Sequence, residues 1–173
     1  MEVSANFYKL VKFFEGLHDG NLSEIGLQPK PCPSNVYTTG WGHAIVDPRT
    51  GKFVTTATKN GYKRACELFT DLTIEQADKL LEEDTLKYRD LANNNLKVIL
   101  TQCQFDALVS HTFNCGVSET LYNLINTLPL DDPKIKIWWT TRYITGQGKQ
   151  LPGLIKRRRI EYELFSTGRL NLI

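Results

Sequence analysis

The spacing of apolar residues at the start of the chain predicts an amphipathic helix. Apolar side chains recur there at intervals of three and four residues, at Phe7, Leu10, Val11 and Phe14. This spacing places them on one helical face, which a folded protein buries. Ser4 is a favourable N-cap and Gly16 a favourable stop, so we expect the helix to end at about Glu15.

The next segment, residues 17–54, has a different pattern and predicts a small β lobe. Glycine, proline and asparagine recur, and the apolar stretches become short. The stretches "NVYTTGWG" and "AIV" are typical of strands. Asp47-Pro48-Arg49-Thr50-Gly51 is typical of a turn before the extended stretch "KFV".

The rest of the chain has mostly helical patterns. Helices are expected over about 55–69, from 73, from 101, over 119–128, over 134–143 and over about 152–166. Thr101 and Gln104 have the spacing of a capping box, and Pro152 is a favourable first residue for the last helix. The pattern predicts an α+β fold in which the small N-terminal β lobe packs against a mostly helical lobe, with a cleft between them.

One acidic residue interrupts the apolar face of the helix that begins near residue 73. Thr73 and Gln76 form a second capping box at its start. The inward face is expected to carry Ala77, Leu80, Leu81, Tyr88 and Leu91. Asp84 lies on the same face, and a buried carboxylate is unfavourable unless it is paired. We therefore expect Asp84 to have a polar partner.

Length and composition fit one globular domain over residues 1–173. No apolar run approaches the roughly 18 residues of a membrane span, so stable membrane insertion is not expected. The N-terminus lacks a basic stretch followed by an apolar one, which argues against a secretory signal. The four cysteines lack metal-ligand spacing, and we expect reduced thiols, no disulfide framework and no metal site.

The net charge of +2 is unevenly distributed. From Lys134 to Ile173, nine Lys and Arg residues stand against two Glu, a net charge of +7, which leaves −5 for the rest. A basic segment favours an anionic polymer such as nucleic acid or bacterial cell wall, although it is equally typical of a solvated helix face. The run "KRRR" lacks interleaved aromatic residues, so we expect no nucleic-acid partner.

Four motifs, in order along the chain, resemble the phage-type lysozymes, or endolysins, of the T-even and lambdoid phages. They are the pair Glu15-Gly16, the segment "YTTGWGH" with Cys32 six residues before Thr38, the stretch "QFDALVSHTFNCG", and "LPGLIKRRRIEYELFSTG". The resemblance covers about residues 7–168. It implies a lysozyme-like α+β fold with an active-site cleft between the lobes, and no cofactor.

Glycoside hydrolysis needs a carboxylic acid that protonates the leaving oxygen, and a group on the other sugar face that places water or attacks the ring. Glu15 matches the family's acid, since the family closes its first helix with the same Glu-Gly pair. Cys32 and Thr38 match the second position in a Glu…Cys…Thr variant of the family. Cys32 would act either as a nucleophilic thiolate or, with Thr38, in positioning water.

The loop before Cys32 is longer than is usual in the family, which leaves alternatives open. Glu24 stands at the family's usual distance from Glu15, and Asp19 is nearby. We prefer Cys32 because it keeps its register with Thr38, and an insertion in a loop is tolerated.

The resemblance also implies residues that support the acid. His43 matches a histidine that pairs with an aspartate on a later helix, and Asp84 matches that aspartate. Arg157 falls where the family places an arginine against the catalytic glutamate. Its neighbours Arg158 and Arg159 are expected to be solvated.

Two further residues are expected to bind substrate. Asn114 aligns with the family's cleft-lining segment, where it would hydrogen-bond N-acetyl groups. Tyr143, with Trp138 or Trp139, would stack on sugar faces, while at least one tryptophan is expected in the core.

The sequence therefore predicts a muramidase that cleaves the β-1,4 bond between N-acetylmuramic acid and N-acetylglucosamine in peptidoglycan, lysing the host for phage release. The alternatives are a lytic transglycosylase, which forms an anhydro sugar, and a non-catalytic peptidoglycan-binding module. We expect a monomer that stays in the host cytoplasm until a holin gives it access to the periplasm and the wall.

Overall fold

A computed structural model of the chain describes residues 1–17, 26–146 and 148–173. Its backbone contacts divide the chain into two compact units. The β unit comprises residues 15–85, and the helical unit comprises residues 1–14 and 86–173. The assignment of residues 1–173 to a single domain stays a prediction.

Apart from a short hairpin before the last helix, the helices and strands follow the order that the sequence predicts. The helices are α1 Ala5–Glu15, α2 Gly61–Leu68, α3 Ile74–Asn95, α4 Gln102–Cys115, α5 Glu119–Thr127, α6 Pro133–Thr141 and α7 Pro152–Thr167. The strands are β1 Lys30–Pro31, β2 Tyr37–Thr39, β3 His43–Ala44, β4 Val46–Asp47, β5 Lys52–Phe53, β6 Thr145–Gly146 and β7 Lys149–Gln150. Within the described part of the chain, no helix has both the length and the apolarity to cross a membrane.

Both predicted capping boxes are present. At the start of α4 the Thr101 side chain accepts from the backbone N–H of Gln104, whose own side chain accepts from the Thr101 N–H. Thr73 and Gln76 exchange the same two bonds before α3, at 3.2 and 2.8 Å. These bonds satisfy backbone donors that the first turn of a helix leaves unpaired, and so fix where each helix begins.

The β unit contains a three-stranded antiparallel sheet and a separate hairpin. In the sheet β2 lies between β1 and β3, and Thr38 pairs with Lys30 on one side and Ala44 on the other. Strands β4 and β5 form the hairpin across the predicted turn. Behind the strands lies a small core of Tyr37, Ile45, Val54 and Ala65, against which Leu68 and Phe69 pack.

In the helical unit, α7 packs against α4 and α6, and α5 packs against α6. The apolar face of α1 is buried at Phe7, Leu10 and Val11, as the spacing predicts. Trp139 is completely buried, with its ring centroid 5.0 Å from that of Phe165. The prediction that one tryptophan belongs to the core is therefore confirmed.

Three local features differ from the sequence-based expectation. Helix α2 begins at Gly61 rather than near residue 55, because Asn60 has a left-handed backbone (φ 56°) that interrupts a helix. Leu91, predicted to face inward, is 39% exposed. The short hairpin of β6 and β7 has no distinctive apolar pattern and was not predicted.

A buried histidine in α4 makes the stability of the protein depend on pH. His111 is fully buried among the rings of Trp138, Trp139 and Tyr143, at centroid distances of 5.5–5.7 Å. Among the described residues, neither of its ring nitrogens has a hydrogen-bond partner. Burial lowers the pKa of His111 to about 4, and the charges of Arg158 and Arg157 act in the same direction, against that of Glu161.

We expect His111 to stay neutral in the folded protein over a pH range in which the unfolded chain protonates it. The free energy of unfolding should then fall by up to roughly 3 kcal/mol as the pH drops from about 6.5 to about 4. Urea unfolding at several pH values, on wild type and His111→Phe, measures this loss. The variant should lose less stability over that range, and equal losses would contradict the assignment.

Candidate active site

Glu15, Cys32 and Thr38, the three predicted catalytic residues, line one pocket of the β unit. We call this space, of about 500 Å³, the Glu15 pocket. The other residues that line it are Pro33, Ser34, Val36, Gly42, Ala44 and Phe53. Residues that are far apart in sequence are thus brought together around a space that can admit a ligand.

Glu15 is the last residue of α1, and its side chain is half-buried. Its carboxylate lies close to the backbone of Gly42, since a Cβ atom built at Gly42 would stand 3.9 Å from Glu15 Oε2. Gly42 has φ +92°, a conformation that other residues rarely adopt. The glycine therefore keeps the space beside the carboxylate open.

Thr38 is held at the centre of the sheet. It lies in β2, is only 5% exposed, and donates its hydroxyl to the carbonyl oxygen of Lys30 at 3.3 Å. The antiparallel pairing of β1 and β2 places Lys30 directly opposite Thr38. The hydroxyl is thus oriented by the sheet.

Cys32 sits in a tight turn that follows β1. Its N–H donates to the Val36 carbonyl and its carbonyl accepts from the Asn35 N–H, both at 2.8 Å. The thiol sulphur lies 2.9 Å from the hydroxyl of Ser34. This hydrogen bond is the main cause that lowers the pKa of the Cys32 thiol, against the opposing effect of burial. The turn therefore presents a half-buried thiol with increased thiolate character.

His43 and Asp84 form the predicted pair. His43 Nδ1 lies 2.9 Å from Asp84 Oδ2, and the imidazole ring contacts the ring of Phe69 at a centroid distance of 5.2 Å. This bond ties β3, at the edge of the Glu15 pocket, to α3.

A second hydrogen bond, which the sequence analysis missed, holds the same turn. Trp41 donates its indole N–H to Asp78 Oδ1 at 2.6 Å. The turn also approaches α3 closely at Gly40, where a Cβ atom would stand 2.9 Å from that of Ala77. Residues 40–43 are therefore fixed against α3 at both ends, which fixes Gly42 beside Glu15.

We expect His43→Asn and Asp84→Asn to reduce stability more than turnover. Loss of one partly buried hydrogen bond should lower the free energy of unfolding by about 1 kcal/mol, or a melting temperature by about 2–4 °C. Thermal unfolding and lytic activity are measured for both single variants and for the double variant. The double variant should be no less stable than either single variant, because each change already breaks the same hydrogen bond. A His43→Asn protein that folds normally but is inactive would instead make His43 catalytic.

The expected solvation of the residues after Arg157 is wrong for Arg158. Arg158 is completely buried, whereas Arg159 is exposed. One turn further along α7, Glu161 is also completely buried, and a helical spacing of three and four residues brings both Arg157 and Arg158 to it. Part of the positive charge of the C-terminal segment, that of Arg157 and Arg158, is therefore buried in the protein and not exposed to solvent.

The contacts of Glu161 form a buried polar cluster in the helical unit. Its carboxylate lies 3.1 Å from Arg157 Nε and 3.3 Å from Arg158 Nε, and it accepts from the hydroxyl of Ser110 at 2.8 Å. The Trp139 indole N–H lies 3.4 Å from the same carboxylate. The cluster, which we call the Glu161 cluster, joins α4, α6 and α7.

The predicted substrate-binding residues lie in the helical unit and do not share one described pocket. Asn114 accepts a hydrogen bond from Arg158 Nη2 at 2.6 Å, so the Glu161 cluster orients its side chain. Tyr143 is 46% exposed and, with Trp138 and Arg142, lines a groove of about 540 Å³.

The remaining assignments stay predictions. Arg157 lies with its guanidinium 5.3 Å from the centre of the Phe14 ring, and its proposed role beside Glu15 stays a prediction. Asp19 and Glu24, the alternatives to Cys32, fall outside the described residues. Among the residues that the structure does describe, no group of His, Cys, Asp or Glu side chains is arranged to hold a metal ion.

A half-buried carboxylic acid, a strand hydroxyl and a thiol line one pocket of an α+β scaffold. These are the groups that the resemblance to lysozyme-type glycoside hydrolases predicts. A family model described as "Phage lysozyme" matches residues 21–161 of the chain. The chain belongs to the phage lysozyme family.

Curated relatives support this assignment. The endolysin of Acyrthosiphon pisum secondary endosymbiont phage 1 is 30% identical over 172 residues, which cover 96% of this chain and 99% of that protein. The endolysin of Bacillus phage B103 is also 30% identical, across 97% of this chain, but the chain spans only 55% of its length.

Solved structures show the same fold. The endolysin from Escherichia coli O157:H7 phage FAHEc1 matches with a TM-score of 0.69 and 28% identity, covering 99% of this chain and 97% of that one. The muramidase domain of SpmX from Asticaccaulis excentricus matches with a TM-score of 0.66 and 30% identity, covering 96% of this chain and 98% of that one. The predicted lysozyme-like α+β fold, glycoside hydrolase activity and endolysin function are thereby confirmed.

Proposed function

We propose that this chain hydrolyses the β-1,4 bond between N-acetylmuramic acid and N-acetylglucosamine in peptidoglycan, with Glu15 as the general acid. The observation that carries the proposal is the Glu15 pocket, in which a carboxylic acid, a strand threonine and a thiol line one space. Each of the three side chains is placed by a different local structure: a helix end, a sheet and a tight turn.

In the proposed reaction Glu15 gives its proton to the glycosidic oxygen as the bond from that oxygen to the anomeric carbon breaks. The sugar develops oxocarbenium character, and a water molecule adds its hydroxyl to the anomeric carbon. The surplus proton of the water passes to solvent, and Glu15 regains its proton from solvent. One water is thus consumed for each bond that is cleaved.

Thr38 and Cys32 are proposed to position that water. The Thr38 hydroxyl is oriented by its hydrogen bond to the Lys30 carbonyl, and its oxygen would accept a proton of that water. The Cys32 sulphur, fixed by its bond to Ser34, would provide a second contact. A water held in one place reacts faster than a mobile one, because its orientation is already set.

Lytic transglycosylase chemistry is the second candidate, because a cysteine and a threonine line the Glu15 pocket where a hydrolase commonly has a water-activating carboxylate. Glu15 is the only carboxylate among the described residues that line the Glu15 pocket. An inverting hydrolase normally uses a second carboxylate to activate water, whereas a transglycosylase closes an anhydro ring within the sugar and needs one acid. Such an enzyme would release anhydro products instead of reducing sugars.

The enzyme proposal is tested on Gram-negative cells whose outer membrane has been removed. The purified protein should lower the turbidity of the suspension and release soluble muropeptides. A protein that pellets with the cells but releases no muropeptides would be a wall-binding module, and the proposed function would be wrong.

Variants of Cys32 distinguish its possible roles. If Cys32 positions water with Thr38, Cys32→Ser should keep part of the activity, because a hydroxyl can replace a positioning thiol. If Cys32 is instead a covalent nucleophile, Cys32→Ser should be nearly inactive and thiol alkylation should abolish activity. If Glu24 or Asp19 is the second group, Cys32→Ala should match wild type while Glu24→Gln or Asp19→Asn is inactive. We expect the first pattern, in initial rates on purified peptidoglycan.

The proposed biological role is lysis of the host at the end of infection. The protein would act as a monomer, accumulate in the bacterial cytoplasm and reach the wall only when a holin permeabilises the inner membrane. Expression in bacteria should then leave cells intact until a holin is co-expressed, and lysis without one would contradict this route. The sedimentation of the purified protein, measured at the concentration used in the lysis assays, tests whether it is a monomer.

A further inference from the structure

We infer that Phe53 is a substrate-positioning residue whose ring supports a pyranose unit of the glycan in the Glu15 pocket. The inference deepens the proposed function and rests on it for the identity of the ligand. Phe53 lines the same pocket as Glu15, Cys32 and Thr38, yet it has no part in the acid-and-water chemistry.

The strand that carries Phe53 directs neighbouring side chains to opposite faces. Val54, the next residue, is 1% exposed and belongs to the core of the β unit, whereas Phe53 is 56% exposed. Side chains alternate along an extended chain, so burying Val54 turns Phe53 away from the core. The phenyl ring therefore contributes little to the fold and presents its apolar surface in the pocket wall.

The backbone beneath the ring is firmly held. Phe53 pairs with Val46 across the hairpin, and the Val54 N–H donates to the Ile45 carbonyl at 2.9 Å. The hairpin is also fixed to α2, because Arg64 donates from Nε and Nη2 to the two carboxylate oxygens of Asp47 at 2.8 and 2.9 Å. An exposed phenyl ring on a fixed strand is preorganised for a ligand and loses little freedom on binding.

The pocket offers different surfaces for the two parts of a sugar. Its polar groups include Glu15, Thr38 and Ser34, while Phe53, with Val36 and Ala44, supplies apolar surface. A pyranose ring has polar hydroxyls around its rim and apolar C–H groups on its faces. Placing one such face on the phenyl ring removes apolar area from water on both partners, so the sugar chain is the occupant that fits this wall.

Kinetics on purified peptidoglycan sacculi test the inference. Phe53→Ala should raise KM by about tenfold and change kcat by less than about twofold, because the ring binds the ground state and the transition state alike. Phe53→Tyr and Phe53→Trp, which keep an aromatic face, should stay within about threefold of wild type in KM. Tyr62→Ala is the matched control, since Tyr62 is a 53% exposed aromatic residue of the same unit that does not line this pocket.

Binding in a catalytically inactive background separates this inference from the proposed function. On Glu15→Gln protein, adding Phe53→Ala should weaken co-sedimentation with sacculi by about tenfold, whether or not the parent cleaves peptidoglycan. Unchanged KM and unchanged binding in Phe53→Ala would overturn the role of Phe53 and leave the proposed function standing. Absence of cleavage by wild type, with the binding loss intact, would overturn the proposed function alone.

Discussion

Glu15→Gln is expected to lower the rate of peptidoglycan cleavage by about 10²–10⁴-fold while leaving the fold intact. Glutamine has the size of glutamate, but its amide N–H is too weakly acidic to protonate the leaving oxygen. Because Gly42 leaves room beside Glu15 Oε2, the amide should occupy the same space without displacing the backbone. Initial rates on purified sacculi, together with thermal unfolding of the same preparation, measure both parts of this expectation.

The matched control is Glu82→Gln, the same chemical change at an exposed position of α3 in the same unit. Its rate and its melting temperature should equal those of wild type. Retention of more than about a tenth of wild-type activity by Glu15→Gln would eliminate Glu15 as the acid. Loss of activity in both variants would point to an effect of net charge on wall binding.

The largest loss of stability is expected from Glu161→Gln. This change removes the carboxylate that contacts both Arg157 and Arg158 in the Glu161 cluster. The exposed fractions of the Glu161, Arg157 and Arg158 side chains are 0%, 4% and 0%. Uncompensated buried charge is strongly unfavourable, and removing one partner of such a pair typically costs about 3–5 kcal/mol. For a protein of this size the melting temperature should fall by about 10 °C.

Glu163→Gln is the control for this experiment, because Glu163 lies two residues further along α7 and is only partly buried. Its free energy of unfolding should stay within about 0.5 kcal/mol of wild type. Urea unfolding of both variants at neutral pH makes the comparison. A loss below about 1 kcal/mol for Glu161→Gln would mean that the buried arginines do not depend on its charge.

Local signals in the sequence predicted the structure around Glu15 and His43 better than the contacts inside the helical unit. The end of α1 at Glu15 follows from a short-range apolar period and a glycine stop. A carboxylate on an apolar helix face requires a partner, and the resemblance to the phage-type lysozymes implied that His43 is the partner of Asp84. The two side chains lie 2.9 Å apart. Such arguments succeed where a residue type, such as an acidic residue on an apolar helix face, has few favourable environments in a folded protein.

The missed features depend on contacts that no local pattern encodes. Arg158 and Arg159 were expected to be solvated, and only the position of Glu161 one turn later indicates that Arg158 belongs to an internal ion cluster. The bond from Trp41 to Asp78 joins residues 37 positions apart and needs the fold of the turn. Phe53 could not be distinguished from a core residue until the burial of Val54 was known.

Product analysis tests the central claim most directly. Purified sacculi are digested with the wild-type protein, and the soluble muropeptides are reduced with borohydride and identified by mass spectrometry. Hydrolysis by a muramidase predicts fragments that end in a reducible N-acetylmuramic acid, and none from the Glu15→Gln digest. Fragments that end in anhydro-N-acetylmuramic acid, which borohydride does not reduce and which are therefore lighter than the reduced hydrolytic product by one water and two hydrogen atoms, would contradict the proposed reaction. Fragments that end in reducible N-acetylglucosamine would also contradict it.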